Sequence, residues 1–173
     1  MIKPESIEDM ETFLALSYLL ETESSDRYEE LAENMQAHHD PEIAQLFRKL
    51  SHYGEQHASE IIEHADGLVL PNVASWEFEW QNPEGPETTP FEAINYQMTA
   101  DEVLHIALAN EKRGRDFYAH IAEKSPTESI RKLAAEFSAE ETEHVQLLEQ
   151  WIADIANKVS ATKDDLDPPH MPE

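Results

Sequence analysis

Glu21-Thr-Glu-Ser-Ser-Asp-Arg-Tyr28 returns later in the chain as Glu111-Lys-Arg-Gly-Arg-Asp-Phe-Tyr118, with Glu, Asp and Tyr in matching places and Ala32 answering to Ala122. The stretch around His57 overlies that around His144 in the same way, with Ser51 on Ser138 and Ile61 on Leu148. An internal repeat of this size implies a duplicated unit related by a pseudo-twofold axis through the core. Each copy reads as a helical hairpin. Met10, Phe13, Leu14, Ser17, Leu20, Ser24, Tyr28, Leu31, Ala32 and Met35 keep the three-four spacing of one helix face, after Ser6 and Asp9 placed like a capping box. Asp40 before Pro41 is a cap followed by a first-turn proline, and Leu46, Phe47, Leu50, Gly54, His57, Ile61 and Ala65 form the next stripe. In the second copy, Thr99 with Glu102 opens a stripe of Val103, Leu104, Ala107, Leu108, Glu111, Gly114, Tyr118, Ile121 and Ala122. Ser125, Pro126 and Glu128 then open one of Ile130, Leu133, Phe137, Glu141, His144, Leu148 and Ile152.

The expected helices span about 7–37, 41–66, 100–124 and 126–159. A crossover at 67–99 separates the hairpins; it is too rich in proline for a helix, and Trp76, Phe78 and Trp80 make it too aromatic for a free linker. Two hairpins with short turns and one long connection predict an all-α, up-down-down-up four-helix bundle. It forms a single domain over 1–161, followed by an acidic, mobile tail at 162–173.

Charge and cysteine usage narrow the function. Thirty-seven acidic against twelve basic residues give a formal charge of −25, which repels nucleic acid and anionic membrane surfaces. The chain has no cysteine, which removes disulfides, thiolate zinc sites, iron–sulfur clusters and a rubredoxin-type iron centre. With no apolar signal core and no stretch near the roughly 20 residues of a membrane span, a cytoplasmic protein is expected.

Carboxylates that interrupt an apolar stripe must be paired, protonated or bound to a cation. Glu21 interrupts the first helix and Glu111 the third, while Glu141 and His144 interrupt the fourth. Three residues are about 300° of rotation, so Glu141 and His144 share a face. Carboxylate with neutral imidazole suits iron or manganese and tolerates zinc. The second helix breaks the pattern: His57 answers to His144, but Gly54 stands where a glutamate would precede it. Glu55 and Gln56 point roughly 160° and 100° away from His57, and Glu60, about 60° from it, is the nearest substitute. His64, two turns on, is another candidate.

These residues resemble rubrerythrin and its relatives in the ferritin-like superfamily, across the four helices. The resemblance implies one glutamate on each of the first and third helices and a Glu-x-x-His on the second and fourth, holding two irons. Glu21 and Glu111 would then be terminal carboxylates, Glu141 a bridging one, and His57 and His144 the imidazole ligands. Tyr28 and Tyr118 would hold ligand carboxylates by hydrogen bonds. Gly54 removes one bridging carboxylate, so the expected content is one or two ions per chain, and Gly114 stands in place of the family's additional carboxylate on the third helix. The implied activity is that of a non-haem iron oxidoreductase that reduces peroxide, or oxidises ferrous iron with oxygen. Lacking a rubredoxin domain, it would take electrons from an external donor protein, and family habit implies a homodimer. Iron handling or storage, and a metal-poor bundle serving as an interaction scaffold, are the alternative readings.

Overall fold

Asp9, Asp40 and Thr99 each stand one residue before an apolar-periodic run, and each caps the helix that follows. The computed structural model describes residues 6–38, 40–74 and 98–164, with side chains as far as Lys158. Its helices are α1 (Met10–Ala37), α2 (Pro41–His64), α3 (Ala100–Lys124) and α4 (Glu128–Asp164). Asp9 accepts from the Thr12 amide at 2.8 Å, and Asp40 from that of Ile43 at 3.3 Å. Thr99 and Glu102 form a reciprocal capping box, each side chain accepting from the other's backbone N–H. Replacing Thr99 by alanine is expected to cost about 1 kcal/mol and to lower the melting temperature by about 2–4 °C in a calorimetric scan. At the far end of α2, Gly67 takes φ 78°, a left-handed conformation that a side chain would oppose.

The stripes become two apolar clusters. Phe13, Leu14 and Leu20 from the start of α1 meet Ile61 from the end of α2, Ile121 from the end of α3 and Phe137 from the start of α4. Leu31 and Met35 from the end of α1 meet Phe47 from the start of α2, Leu104 from the start of α3 and Leu148 far along α4. These partnerships fix directions: α1 runs parallel to α4 and antiparallel to α2 and α3. That is the expected up-down-down-up bundle, with α1 packed on α2 and α3 on α4 as two hairpins. Each large aliphatic side chain buried this way contributes about 1.5–3 kcal/mol. Between the clusters lies a layer that is not apolar.

Several boundaries differ from expectation. The first helix starts at Met10 rather than Ile7, because Asp9, not Ser6, caps it. Ile7 is instead buried, its carbonyl accepting from the Ser125 hydroxyl at 3.0 Å. Ser125 also ends α3 and accepts from the Thr127 amide at 3.3 Å, and the fourth helix starts at Glu128 rather than at Pro126. The second helix stops at His64, and the fourth continues to Asp164, with Lys158 reaching Glu42 at 3.3 Å. Most of the crossover, including Trp76, Phe78 and Trp80, and the tail beyond residue 164 lie outside the described residues. No described helix is long and apolar enough to cross a membrane.

Candidate metal centre

Ser17, Glu21 and Ser24 lie along the buried face of α1, where the small serines leave room between the two apolar clusters. Glu111 occupies the same level on α3, Glu141 on α4, and His57 and His144 face them from α2 and α4. The three carboxylates are only 3–4% exposed. Isolated charges that deep would cost several kcal/mol each, so what surrounds them decides the chemistry. Ligand atoms of Glu21, His57 and Glu141 lie within 4.8 Å of one another, as do those of Glu111, Glu141 and His144. Glu141 belongs to both groups.

The pseudo-twofold axis is visible in the hydrogen bonds. The Tyr28 hydroxyl, from α1, donates to Glu111 on α3, and the Tyr118 hydroxyl, from α3, donates to Glu21 on α1 at 3.2 Å. His57 Nδ1 lies 3.4 Å from Glu21, and His144 Nδ1 lies 3.1 Å from Glu111 and 3.4 Å from Glu141. Both imidazoles thus turn Nδ1 inward, and their rings stack at 5.3 Å between centroids. Replacing either tyrosine by phenylalanine strips a buried carboxylate of a donor. A loss of about 2 kcal/mol in urea-unfolding free energy of the metal-free protein is expected for each.

Electrostatics follow from the crowding. Burial works to raise the Glu111 pKa, but the hydrogen bond and charge of His144, with hydrogen bonds from Glu141 and Tyr28, outweigh it and hold the carboxyl below its usual range. For His57, burial pulls downward, and the hydrogen bond and charge of Glu21, with Glu140 and Glu60, push the imidazole above its ordinary value. The surrounding carboxylates therefore favour the charged form of His57, which opposes them as a bound cation would. Three buried carboxylates and two inward nitrogens, shared through Glu141, are a donor set that fits two hard or borderline divalent ions such as iron.

Glu21, His57, Glu111, Glu141 and His144 are thus brought together in one layer, with Tyr28 and Tyr118 hydrogen-bonded to it. Glu60 is exposed and lies outside both groups. His64 sits at the end of α2 against Phe137, beside one apolar cluster. Gly54 is buried where α2 meets α1: a Cβ there would lie 3.0 Å from the Glu21 carbonyl oxygen and 3.1 Å from Ser25 Cβ. Sequence reasoning missed Glu140 and Tyr53. Glu140 is half-buried with Oε2 3.8 Å from His57 Nε2, and burial together with Glu60 and Glu21 raises its pKa. Tyr53 stacks on His144 at 5.2 Å. Both line a cleft of about 420 Å³ between α2 and α4 that reaches His57 and His144.

Four helices in this order, with carboxylates and imidazoles gathered midway along the axis, define a ferritin-like bundle. Residues 12–74 and 102–169 match the family model described as Rubrerythrin. An uncharacterized conserved protein from Magnetospirillum magnetotacticum, known from its crystal structure, is 36% identical, with a TM-score of 0.72 over 84% of this chain and 95% of its own. No curated protein matches the chain. The chain belongs to the rubrerythrin family.

Proposed function

We propose that this protein is a non-haem di-iron oxidoreductase that reduces hydrogen peroxide, or oxidises ferrous iron with dioxygen. Glu21, His57 and Glu141 would hold one ion, and Glu111, Glu141 and His144 the other. The observation that carries the reading is the sharing of Glu141 by both groups, because a carboxylate between two three-donor sets is what a paired site needs. Bound iron would supply the two electrons with which peroxide, taking up two protons, becomes two waters.

The chain's own part is placement and enclosure. Tyr28 and Tyr118 keep the two terminal carboxylates oriented by hydrogen bonding. The apolar clusters above and below the layer exclude water along the axis. The cleft between α2 and α4 is wide enough for a small oxidant, and it opens at the two histidines. The 173 residues contain no cysteine for a rubredoxin-type centre, so the proposal includes an external electron donor protein, with a homodimer as the working assembly.

The test is iron content per chain after anaerobic loading, followed by stopped-flow oxidation with peroxide and with oxygen. Iron bound and oxidised faster by peroxide supports the peroxidase form, and faster oxidation by oxygen supports the ferroxidase form. No iron bound would sink both. A second reading, iron handling, is favoured by the acidic rim of the cleft, where Glu60, Glu140 and Glu143 would draw cations inward. Storage requires a shell of subunits, which particle size by light scattering would reveal.

A further inference from the structure

The repeat pairs His57 with His144, and the same offset pairs Tyr53 with Glu140 and Gly54 with Glu141. The centre is therefore only half symmetric. Inside the layer each imidazole turns Nδ1 onto a glutamate of the neighbouring helix, and His144 also meets Glu141 of its own helix where His57 has Gly54. Outside it they differ further. Nε2 of His57 faces the Glu140 carboxylate at 3.8 Å. Among the described residues, the only carboxylates within ion-pairing distance of His144 are Glu111 and Glu141, both on Nδ1. Its ring is instead covered by Tyr53, parallel to within 2°, and the Lys49 ammonium lies 5.5 Å over the other ring of that stack, Tyr53.

A carboxylate that accepts the outer N–H of an imidazole fixes the tautomer with its inner nitrogen free, and it raises that nitrogen's basicity. A stacked phenol ring restrains the plane of the imidazole but does neither. We propose that Glu140 is a positioning residue for His57 that makes the two metal positions unequal, the one at Glu21 and His57 filling first and more tightly than the one at Glu111 and His144. This rests on the reading of the layer as a paired metal site. Glu140 has the freedom the role needs: it is half-exposed in the cleft, and a small rotation closes 3.8 Å to hydrogen-bond length. The difference on the outer side of the two imidazoles is encoded at one repeat position, Tyr53 in the first copy and Glu140 in the second.

The experiment titrates the metal-free protein with cobalt(II) alone and follows the visible absorption of the bound ion, which reports each filling step separately. The unaltered protein is expected to fill in two resolved steps. Glu140→Gln should weaken the tighter step by about tenfold or more and leave the weaker one in place. Tyr53→Glu, which gives His144 the same outer acceptor, should strengthen the weaker step and bring the two together. Circular dichroism of both variants checks that the bundle is intact. Equal weakening of both steps in Glu140→Gln would mark a general structural effect and overturn the proposal, as would no change in either. Cobalt binding in two indistinguishable steps overturns it while leaving the paired site standing. An unaltered protein that binds no cobalt removes both readings.

Discussion

Glu141→Gln is expected to empty the whole centre with one nearly isosteric change, and to make the metal-free protein more stable while doing so. Glu141 is the single residue common to both donor groups. Its amide analogue cannot bridge, and each remaining group would offer one glutamate and one histidine, too few donors for a lasting site. Iron content should fall from about two ions per chain to a small fraction of one. The effect on the metal-free fold has the opposite sign. Glu141 is buried, with ligand atoms of Glu21, Glu111, His57 and His144 all within 4.8 Å of its own. Its hydrogen bond with Glu111 requires the two carboxyls to share a proton, whereas glutamine donates the same bond permanently with no charge to desolvate. Neutralising it should raise the metal-free stability by about 1–2 kcal/mol. With metal at a hundredfold excess over its dissociation constant, the unaltered protein gains about 2.7 kcal/mol that the variant does not. Melting curves should thus cross over: the variant melts higher without metal, and the unaltered protein gains more when metal is added. A variant that still takes up two ions, or that melts lower in the metal-free state, would show that Glu141 is not the shared element of the site.

Much of this architecture could be read from residue spacing. Leu14, Tyr28, Leu31 and Met35 on α1 and Val103, Leu104, Tyr118 and Ile121 on α3 are buried because a three-four period leaves them one face to share. Glu21, Glu111, Glu141, His57 and His144 were visible as polar interruptions of those stripes, and the repeat put them at one depth. What spacing does not encode is tertiary choice. Ser125 accepts from the Thr127 amide ahead of the fourth helix, as its place in the chain suggests, but its hydroxyl also donates to the Ile7 carbonyl, a partner 118 positions away in the chain. In the sequence Glu140 is one acid among several around Glu141 and interrupts no apolar stripe. Its place opposite His57 depends on how α2 and α4 lie beside each other, which no single-helix pattern shows. The repeat held a hint, since Tyr53 and Glu140 share an offset with the two histidines. Gly54 was legible as a missing glutamate but not as a contact, because the reason for it lies on α1.

That contact makes Gly54→Glu the second large effect, and it separates two explanations of the missing carboxylate. If the position were merely unoccupied, restoring glutamate would complete the second Glu-x-x-His and tighten metal binding. The close approach of α1 and α2 argues otherwise. A Cβ at Gly54 would meet the Glu21 carbonyl oxygen at 3.0 Å, Ser25 Cβ at 3.1 Å and the Ser25 nitrogen at 3.4 Å. Two of these three are backbone atoms, which cannot swing aside as a side-chain tip can. The hairpin would have to open there, stretching the hydrogen bond from the Ser25 hydroxyl to the Ser51 carbonyl, now 3.0 Å. Alanine isolates this steric part: it gains about 1 kcal/mol in helix propensity but loses about 1–3 kcal/mol to overpacking, so a net loss of about 1 kcal/mol is expected. Glutamate adds a fourth buried carboxylate to a layer that already holds three, and the metal-free loss should reach about 3–5 kcal/mol. Chemical denaturation of both variants, with and without metal, reads the two parts apart. A neutral or stabilising alanine would mean that α1 and α2 have slack at this point, and a glutamate variant as stable as the parent would mean that the carboxylate is absent for reasons other than space. A loss in both, larger for glutamate and only partly recovered with metal, would show that the tight α1–α2 hairpin and the single shared carboxylate are one structural choice. The bundle would then have exchanged a second bridging ligand for helix contact, leaving Glu141 to carry both positions.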